Sequence, residues 1–194
     1  ESIVTISLMA VSVAISILVG VPLGVLTALN KRFESILRPI LDGMQTVPAT
    51  VYLIPIVLFF GIGPAPAAIA TVIYAIPPMI RLTCLGIQQV PKSAVEAAHM
   101  FGATKRQILA KVQLPLAVPS IIAGINQTVM MALGIVVIAT LVGAGGLGQE
   151  INQTVRRLEP GRGLVVSLAV VAVALVLDRV CRSLVIEPGG QRFH

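Results

Sequence analysis

The sequence is short of charged residues. Only 11% of its 194 residues are Asp, Glu, Lys or Arg, whereas 56% are hydrophobic, and the mean hydropathy is +0.97. Soluble domains carry roughly 25% charged residues, so this composition excludes a water-soluble fold. It also excludes a disordered chain, because disordered chains are rich in charge and poor in apolar residues. The composition therefore predicts an integral membrane protein.

Aromatic residues are equally scarce. They make up 4% of the chain, and tryptophan is absent. Outer-membrane β-barrels carry girdles of aromatic side chains at both membrane surfaces, and this sequence cannot supply them. The membrane-crossing segments are therefore predicted to be α-helices, and the fold class to be an all-α, polytopic helical membrane protein.

Groups that carry chemistry are few. The two cysteines, Cys84 and Cys181, are far apart and outside any CxxC motif. His99 has no second metal ligand at a suitable spacing. The glycine-rich stretch 143–148 fits the spacing of a dinucleotide fingerprint, but no acidic residue follows at the distance that binds ribose. We predict no catalytic residue, no metal site and no cofactor, and hence no enzyme.

Long stretches without charge dominate what is present. Three of them cover residues 3–29, 43–80 and 112–149. The second is too long for one crossing, since 38 residues of helix measure about 57 Å, and the turn-forming residues 61–66 divide it. The sequence predicts one membrane domain over 1–194 with five spans, at about 3–29, 37–60, 65–85, 115–139 and 164–185. The stretch 143–148 is predicted to turn or re-enter, 149–163 to be a polar loop, and 187–194 to be a flexible tail.

The positive charges orient these spans. Eleven of the 14 Lys and Arg residues fall on one side of a five-span arrangement, in 30–38, 81–111 and 179–192. Because basic residues accumulate in cytoplasmic loops, we expect the N-terminus of this chain outside and its C-terminus in the cytoplasm. The chain starts at Glu1 directly before an apolar run, so we also expect earlier segments to precede it.

The polar region 86–113 is predicted to form two short helices between spans three and four. Ser93 is placed to cap the first, with Glu96 three residues later as in a capping box, and Thr104 is placed to cap the second. Small residues at 97 and 98 would allow a partner to approach closely, and Gly102 would permit a sharp change of direction.

This region contains a gapped motif that resembles a known loop. Glu96-Ala97-Ala98 is followed after three residues by Gly102, and after nine more by Val112-Gln113-Leu114-Pro115. The pattern resembles the EAA loop of ABC-importer permeases, with Val112 in place of the family's Ile. The resemblance implies that 86–113 is a cytoplasmic coupling loop that docks on a separate ATPase. It implies coupling roles for the following residues: Glu96, Ala97, Ala98, Gly102, Leu114 and Pro115.

Further stretches are similar to the proline/glycine-betaine branch of these permeases. They include 45–49, 52–57, 60–63, 76–83, 124–128 and 143–148. The similarity implies a bacterial inner-membrane permease for osmolytes such as glycine betaine, proline, carnitine or choline. It also implies a cytoplasmic ABC ATPase, an extracytoplasmic substrate-binding protein and a second permease copy in a homodimer as partners. The chain would lie in the lipid bilayer and would not bind nucleic acid.

Several neutral polar residues interrupt the apolar spans. They are Gln45, Thr46, Asn126, Gln127 and Thr128. Polar groups are costly in lipid, so these side chains either line a translocation path or form hydrogen bonds between helices. Both interpretations stay open. Tyr52, Tyr74 and the five phenylalanines are scattered in the sequence, which predicts no aromatic cage and leaves high-affinity recognition to the binding protein.

Three alternative functions remain. The first is a permease for another small solute, such as an amino acid of the methionine type. The second is an ion-coupled secondary transporter, which usually needs ionisable groups inside its spans; the span centres here carry none. The third is a membrane-embedded enzyme, for which no paired polar catalytic residues are evident.

Overall fold

A computed structural model describes residues 2–139 and 147–184 of the chain. Within these residues the secondary structure is helical, in agreement with the all-α prediction. The helices are α1 (Ser2–Leu29), α2 (Lys31–Thr46), α3 (Ala49–Phe60), α4 (Pro64–Gln88), α5 (Lys92–Met100), α6 (Lys105–Ile108), α7 (Leu114–Ala139), α8 (Leu147–Arg157) and α9 (Pro160–Leu184). A π-helical turn, Leu109–Gln113, joins α6 to α7.

Three helical segments are long and apolar enough to cross a membrane. They are Ile3–Leu29, Pro64–Gln88 and Lys105–Ile135. A fourth crossing is available if α2 and α3 count as one broken span, and α9 begins with a shorter apolar stretch, Pro160–Ala172. The chain is therefore a polytopic helical membrane protein with three or four crossings of this length among the described residues.

The residues of the span predicted at about 37–60 belong to two helices that meet at a sharp bend. The helix α2 already begins at Lys31, and α3 is bent from it by 94°. Val47 and Pro48 lie at the break with extended backbone, at ψ 130° and 142°. The proline ring disfavours helical backbone in the residue before it, and this explains why α2 ends there.

Two side chains near the break between α2 and α3 form hydrogen bonds to backbone carbonyls at the end of α2. The Tyr52 hydroxyl on α3 donates a hydrogen bond to the Met44 carbonyl on α2, at 2.7 Å. The Thr46 hydroxyl donates to the Gly43 carbonyl at 2.9 Å. Carbonyls at the end of a helix have no partner within it, so these bonds satisfy polar groups that would be costly to leave bare in lipid.

Helix α4 is the centre of the fold and packs extensively against α1 and α7. Glycines lie at its close approaches. A Cβ atom added to Gly24 of α1 would lie 2.6 Å from the Thr83 Cβ of α4, and one added to Gly86 of α4 would lie 2.6 Å from the Ser120 Cβ of α7. Small residues let helix backbones approach closely in membranes, so these contacts set the distances between the three helices.

The outer surface of the bundle is apolar. Leu18, Leu58 and Phe59 are 73%, 80% and 86% exposed. The core next to α4 combines alanines such as Ala70, which is fully buried, with larger apolar side chains such as Leu53 and Ile135. This pattern, with large apolar residues outside, matches a surface in contact with lipid tails.

A helix also occupies most of the predicted polar loop 149–163. Helix α8 ends at Arg157, Leu158 has a positive φ of 54°, and α9 begins with Pro160 at its first position, where a proline is tolerated without loss of a hydrogen bond. Arg162 of α9 pairs with Glu150 of α8 at 2.7 Å. The predicted turn at 143–148 lies mostly outside the described residues, and so does the predicted tail at 187–194.

Candidate coupling loop and transport path

The first short helix of the coupling loop ends in a Schellman motif at Gly102. The Gly102 N–H donates to the His99 carbonyl at 2.9 Å, and the Ala103 N–H donates to the Ala98 carbonyl at 3.1 Å. Gly102 has φ of 77°, a left-handed conformation that glycine adopts without strain. This geometry allows the sharp change of direction that was predicted at Gly102, and its role in coupling stays a prediction.

The predicted caps have different outcomes. Thr104 caps α6: its hydroxyl accepts from the Gln107 N–H, and the Gln107 side chain accepts from the Thr104 N–H at 2.8 Å. The prediction for Ser93 is wrong, because α5 already begins at Lys92 after Pro91 and has no side-chain cap. Pro91 is the residue that precedes the helix, and the φ of −54° that its rigid ring imposes suits this position. Helix α5 therefore begins two residues earlier than it would with Ser93 as its cap.

Glu96 and Ala97 lie exposed on α5, and Ala98 is half-buried. Among the described residues, none forms a hydrogen bond or ion pair with the Glu96 carboxylate. Its side chain borders a cleft of about 250 Å³ between α5 and the ends of α1 and α4. The carboxylate is thus accessible to a basic group from another chain.

Met100 and Phe101 form an apolar tip where α5 turns towards α6. They are 89% and 92% exposed, although they lie in a polar region of the sequence. Sequence reasoning missed this pair. The signal was present in two consecutive large apolar residues directly before a C-terminal glycine, in a segment that is otherwise polar. Exposed apolar residues of this kind are typical of a docking surface.

Leu114 and Pro115 lie at the start of α7, where the coupling loop enters the bundle. Pro115 has no N–H and cannot complete a helical hydrogen bond. The preceding turn is widened to π geometry, with the Leu114 N–H donating to the Leu109 carbonyl. A local π turn accommodates such a defect without ending the helix. The helix therefore runs without a break from the loop into the membrane.

The five polar path candidates occupy different environments. Gln127 is exposed, and Thr46 is exposed at the break after α2. Gln45 is half-buried. Thr128 is fully buried, and its hydroxyl has no hydrogen-bond partner in the described part of the chain; the same holds for the side-chain oxygen of Asn126. The structure therefore separates Gln127, which is accessible, from Thr128, which lies inside the bundle.

Two tyrosines that are far apart in sequence meet in the structure. The rings of Tyr52 and Tyr74 have centroids 6.1 Å apart at an angle of 58°. Tyr74 also lines an open cavity of about 450 Å³ between α3, α4 and α7, together with Gln127, Met130 and Met131. Sequence reasoning treated these aromatic residues as scattered, because the contact depends on how α3 packs against α4.

The described residues contain no group of three His, Cys, Asp or Glu side chains that could hold a metal ion. What they do contain is a multi-pass helical bundle, a protruding loop with a glycine-terminated helix, and neutral polar residues within the spans. Together with the EAA-like motif in that loop, this combination agrees with the predicted membrane permease of the ABC-importer type.

The comparisons with known proteins give the family. The chain belongs to the family described as "Binding-protein-dependent transport system inner membrane component", which it matches over residues 20–185. It is 49% identical over 183 residues to the glycine betaine/proline betaine transport system permease protein ProW of Escherichia coli, covering 94% of this chain and 52% of that protein. It is 50% identical over 183 residues to the glycine betaine transport system permease protein OpuAB of Bacillus subtilis, covering 94% and 65%. The chain thus spans about half to two thirds of the length of these curated relatives.

The fold is also similar to a solved structure. A chain of the MetNI methionine ABC transporter, solved in inward-facing conformations, superposes with a TM-score of 0.76 and 24% identity, covering 93% of this chain and 92% of that one. The family predicted from the EAA motif is confirmed, and so is the prediction of a non-catalytic permease component of the inner membrane.

Proposed function

We propose that this chain forms the transmembrane path of an ATP-driven importer for glycine betaine and related osmolytes. The observation that carries the proposal is the near 50% identity, over 94% of the chain, to two permeases named for glycine betaine. The methionine alternative has weaker support, since the similarity to the methionine transporter is one of fold at 24% identity. An ion-coupled transporter would leave the coupling loop without a role.

The coupling loop is proposed to dock on a cytoplasmic ABC ATPase. Met100 and Phe101 would be the apolar contacts, because aromatic and methionine side chains are enriched where protein interfaces bury their core. Glu96, which is exposed and has no partner among the described residues, would pair with a basic residue of the ATPase. Ala97 and Ala98 keep that face of α5 small, and Leu114 and Pro115 lead from the loop into α7.

The proposed assembly has two permease copies, an ATPase pair and an extracytoplasmic binding protein. Each copy would cross the membrane five times, with α1, the bent pair α2–α3, α4, α7 and α9. Exposed apolar residues on α9, including Val165 and Leu168, support the last crossing. The charge distribution favours an outer N-terminus and a cytoplasmic C-terminus. Gln45, Thr46, Asn126, Gln127 and Thr128 remain the candidates for the path.

Uptake into proteoliposomes tests the proposed function. The vesicles would contain the full-length permease, its ATPase and its binding protein, with or without internal ATP. We expect radiolabelled glycine betaine to accumulate only with ATP and to be competed by carnitine or proline. ATPase stimulation by the binding protein without betaine uptake would keep the importer class and reject this substrate. Uptake without any ATPase would reject the importer class.

Phe101→Ser tests the docking of the loop. We expect this change to lower ATP-dependent uptake and ATPase stimulation about tenfold, the effect of losing about 1.4 kcal/mol of interface free energy. Phe101→Leu keeps an apolar side chain and should retain most activity. Because Phe101 is 92% exposed, neither variant should change the melting temperature of the isolated permease. Equal uptake by both variants would reject Phe101 as a docking residue.

A further inference from the structure

The cavity beside Tyr74 lies near the middle of the membrane-spanning helices. Tyr74 is the eleventh residue of α4, about 15 Å along the helix from its first residue. Gln127 is near the centre of α7. The third wall contains Ala49, the first residue of α3 after the break with α2. Irregular backbone at membrane depth is tolerated where it borders a cavity or is covered by protein, and here the broken helix ends at the cavity wall.

The size and openness of this cavity suit a small solute. Its volume of about 450 Å³ lies within the range of roughly 300–1,000 Å³ that is typical of small-molecule sites. Gln127 is exposed and Tyr74 is half-buried, so a solute can reach both side chains. Helices α3, α4 and α7 each contribute to the lining, and a solute in the cavity would therefore contact three helices at once.

The lining residues indicate the chemical class of solute that the cavity would bind. The described residues that line the cavity carry no formal charge, and their side-chain polar groups are the Tyr74 hydroxyl and the Gln127 amide. An aromatic ring face attracts an alkylated ammonium group through its quadrupole. The polarizable sulfurs of Met130 and Met131 can contact its methyl groups. The Gln127 amide supplies N–H donors for a carboxylate. The set matches a small zwitterion with a cationic end and an anionic end.

Tyr52 packs against the aromatic side of this cavity. Its ring is 6.1 Å from that of Tyr74, and its hydroxyl is bonded to the Met44 carbonyl across the break. The Tyr74 ring is thus in contact with a side chain that is itself bonded across the bend between α2 and α3.

We propose that the cavity between Tyr74, Gln127, Met130 and Met131 is a low-affinity site for a quaternary-ammonium zwitterion within the permease. The ammonium group would lie against the Tyr74 ring, and the carboxylate would accept from the Gln127 amide. The identity of the solute rests on the proposed function. A neutral lining without an opposing charge binds such a solute weakly, and weak binding permits release to the next part of the path.

Fluorine NMR of the full-length permease in lipid nanodiscs tests the site directly. Fluorotyrosine would be placed at position 74, and the protein titrated with glycine betaine and with its tert-butyl counterpart, 3,3-dimethylbutanoate, in which carbon replaces the ammonium nitrogen and the carboxylate is kept. We expect a saturable shift with betaine and an affinity about fivefold or more weaker for the counterpart. A fluorinated phenylalanine at position 59, which is 86% exposed on the outer surface, is the control and should give no saturable shift.

The second arm tests the carboxylate end. Gln127→Glu keeps the size of the side chain but replaces its N–H donors with a repelling charge, and we expect it to weaken betaine binding about fivefold or more. Equal shifts with both ligands, equal shifts at positions 59 and 74, or unchanged binding in Gln127→Glu would overturn the proposal. The titration needs neither ATPase nor binding protein. ATP-driven uptake without a shift at position 74 would therefore reject only this site, and a shift without such uptake would reject only the import function.

Discussion

Replacing Gly24 by leucine is expected to prevent the permease from folding into a stable bundle. A Cβ atom at this position would lie 2.6 Å from the Thr83 Cβ and 2.8 Å from the Ile80 carbonyl oxygen. The second neighbour is backbone and cannot rotate away, so α1 and α4 would have to separate. Overpacking of a tight contact costs about 1–3 kcal/mol, and separation of these two helices would add the loss of their common core.

The measurement is the yield of monodisperse protein and its melting temperature in detergent. Gly43→Leu is the matched control, because an added Cβ on that exposed glycine of α2 meets nothing within 4 Å. We expect Gly43→Leu to behave like the wild type, whereas Gly24→Leu should aggregate or melt at a much lower temperature. Similar melting temperatures for the two variants would show that α1 and α4 are not in close contact at Gly24.

Gly102→Val is expected to abolish coupling while the membrane domain stays folded. Gly102 has φ of 77°, and a left-handed conformation costs an ordinary residue about 1–2 kcal/mol, with β-branched residues the least tolerant. The substituted loop would lose the Schellman hydrogen bonds and redirect α5, together with Met100 and Phe101. We expect ATP-dependent uptake to fall at least about tenfold, with little change in melting temperature because Gly102 is exposed.

Gly102→Asn is the control for this prediction. An added Cβ at Gly102 meets nothing within 4 Å, so size alone is harmless, and asparagine adopts the left-handed conformation more readily than other residues. It should retain most of the uptake. If asparagine and valine impair uptake equally, the backbone conformation is not the cause. If valine leaves uptake intact, the direction of α5 does not matter for coupling.

The sequence alone predicted the elements that depend on local chemistry. The apolar runs located α1, α4 and α7, and Thr104 was correctly predicted to cap α6, where the structure adds Gln107 as the second half of a capping box. These features need only neighbouring residues. The EAA motif predicted the family because its gapped spacing is specific, and the family match over 20–185 confirms it.

Features that depend on tertiary packing could not be predicted in the same way. Pro48 breaks a helix, whereas Pro55 and Pro77 lie inside helices that continue, so proline in an apolar run does not by itself locate a bend. Gly20 and Gly24 have the GxxxG spacing of a helix interface, but the spacing does not say which helix packs against them. Their role became clear only from the close approach of α4.

The contact between Tyr52 and Tyr74 illustrates a second limit. The two residues are separated by the turn at 61–63 and lie on different helices. Whether they meet depends on the rotation of α3 about its axis, which the apolar surface of α3 does not specify, because it is hydrophobic on nearly every face. The amphipathic α8 was missed for the opposite reason: its charged residues resembled a loop.

The continuous helix from Lys105 to Ile135 connects the coupling loop directly to the α7 wall of the Tyr74 cavity. From Lys105 to Gln127 is 22 residues of helix, a lever arm of about 33 Å. A tilt of about 5° around one end of such an arm displaces the other by about 3 Å. A small movement of α6 against an ATPase would therefore shift the wall that carries Gln127, Met130 and Met131 by the width of an atom, without any refolding between the two sites.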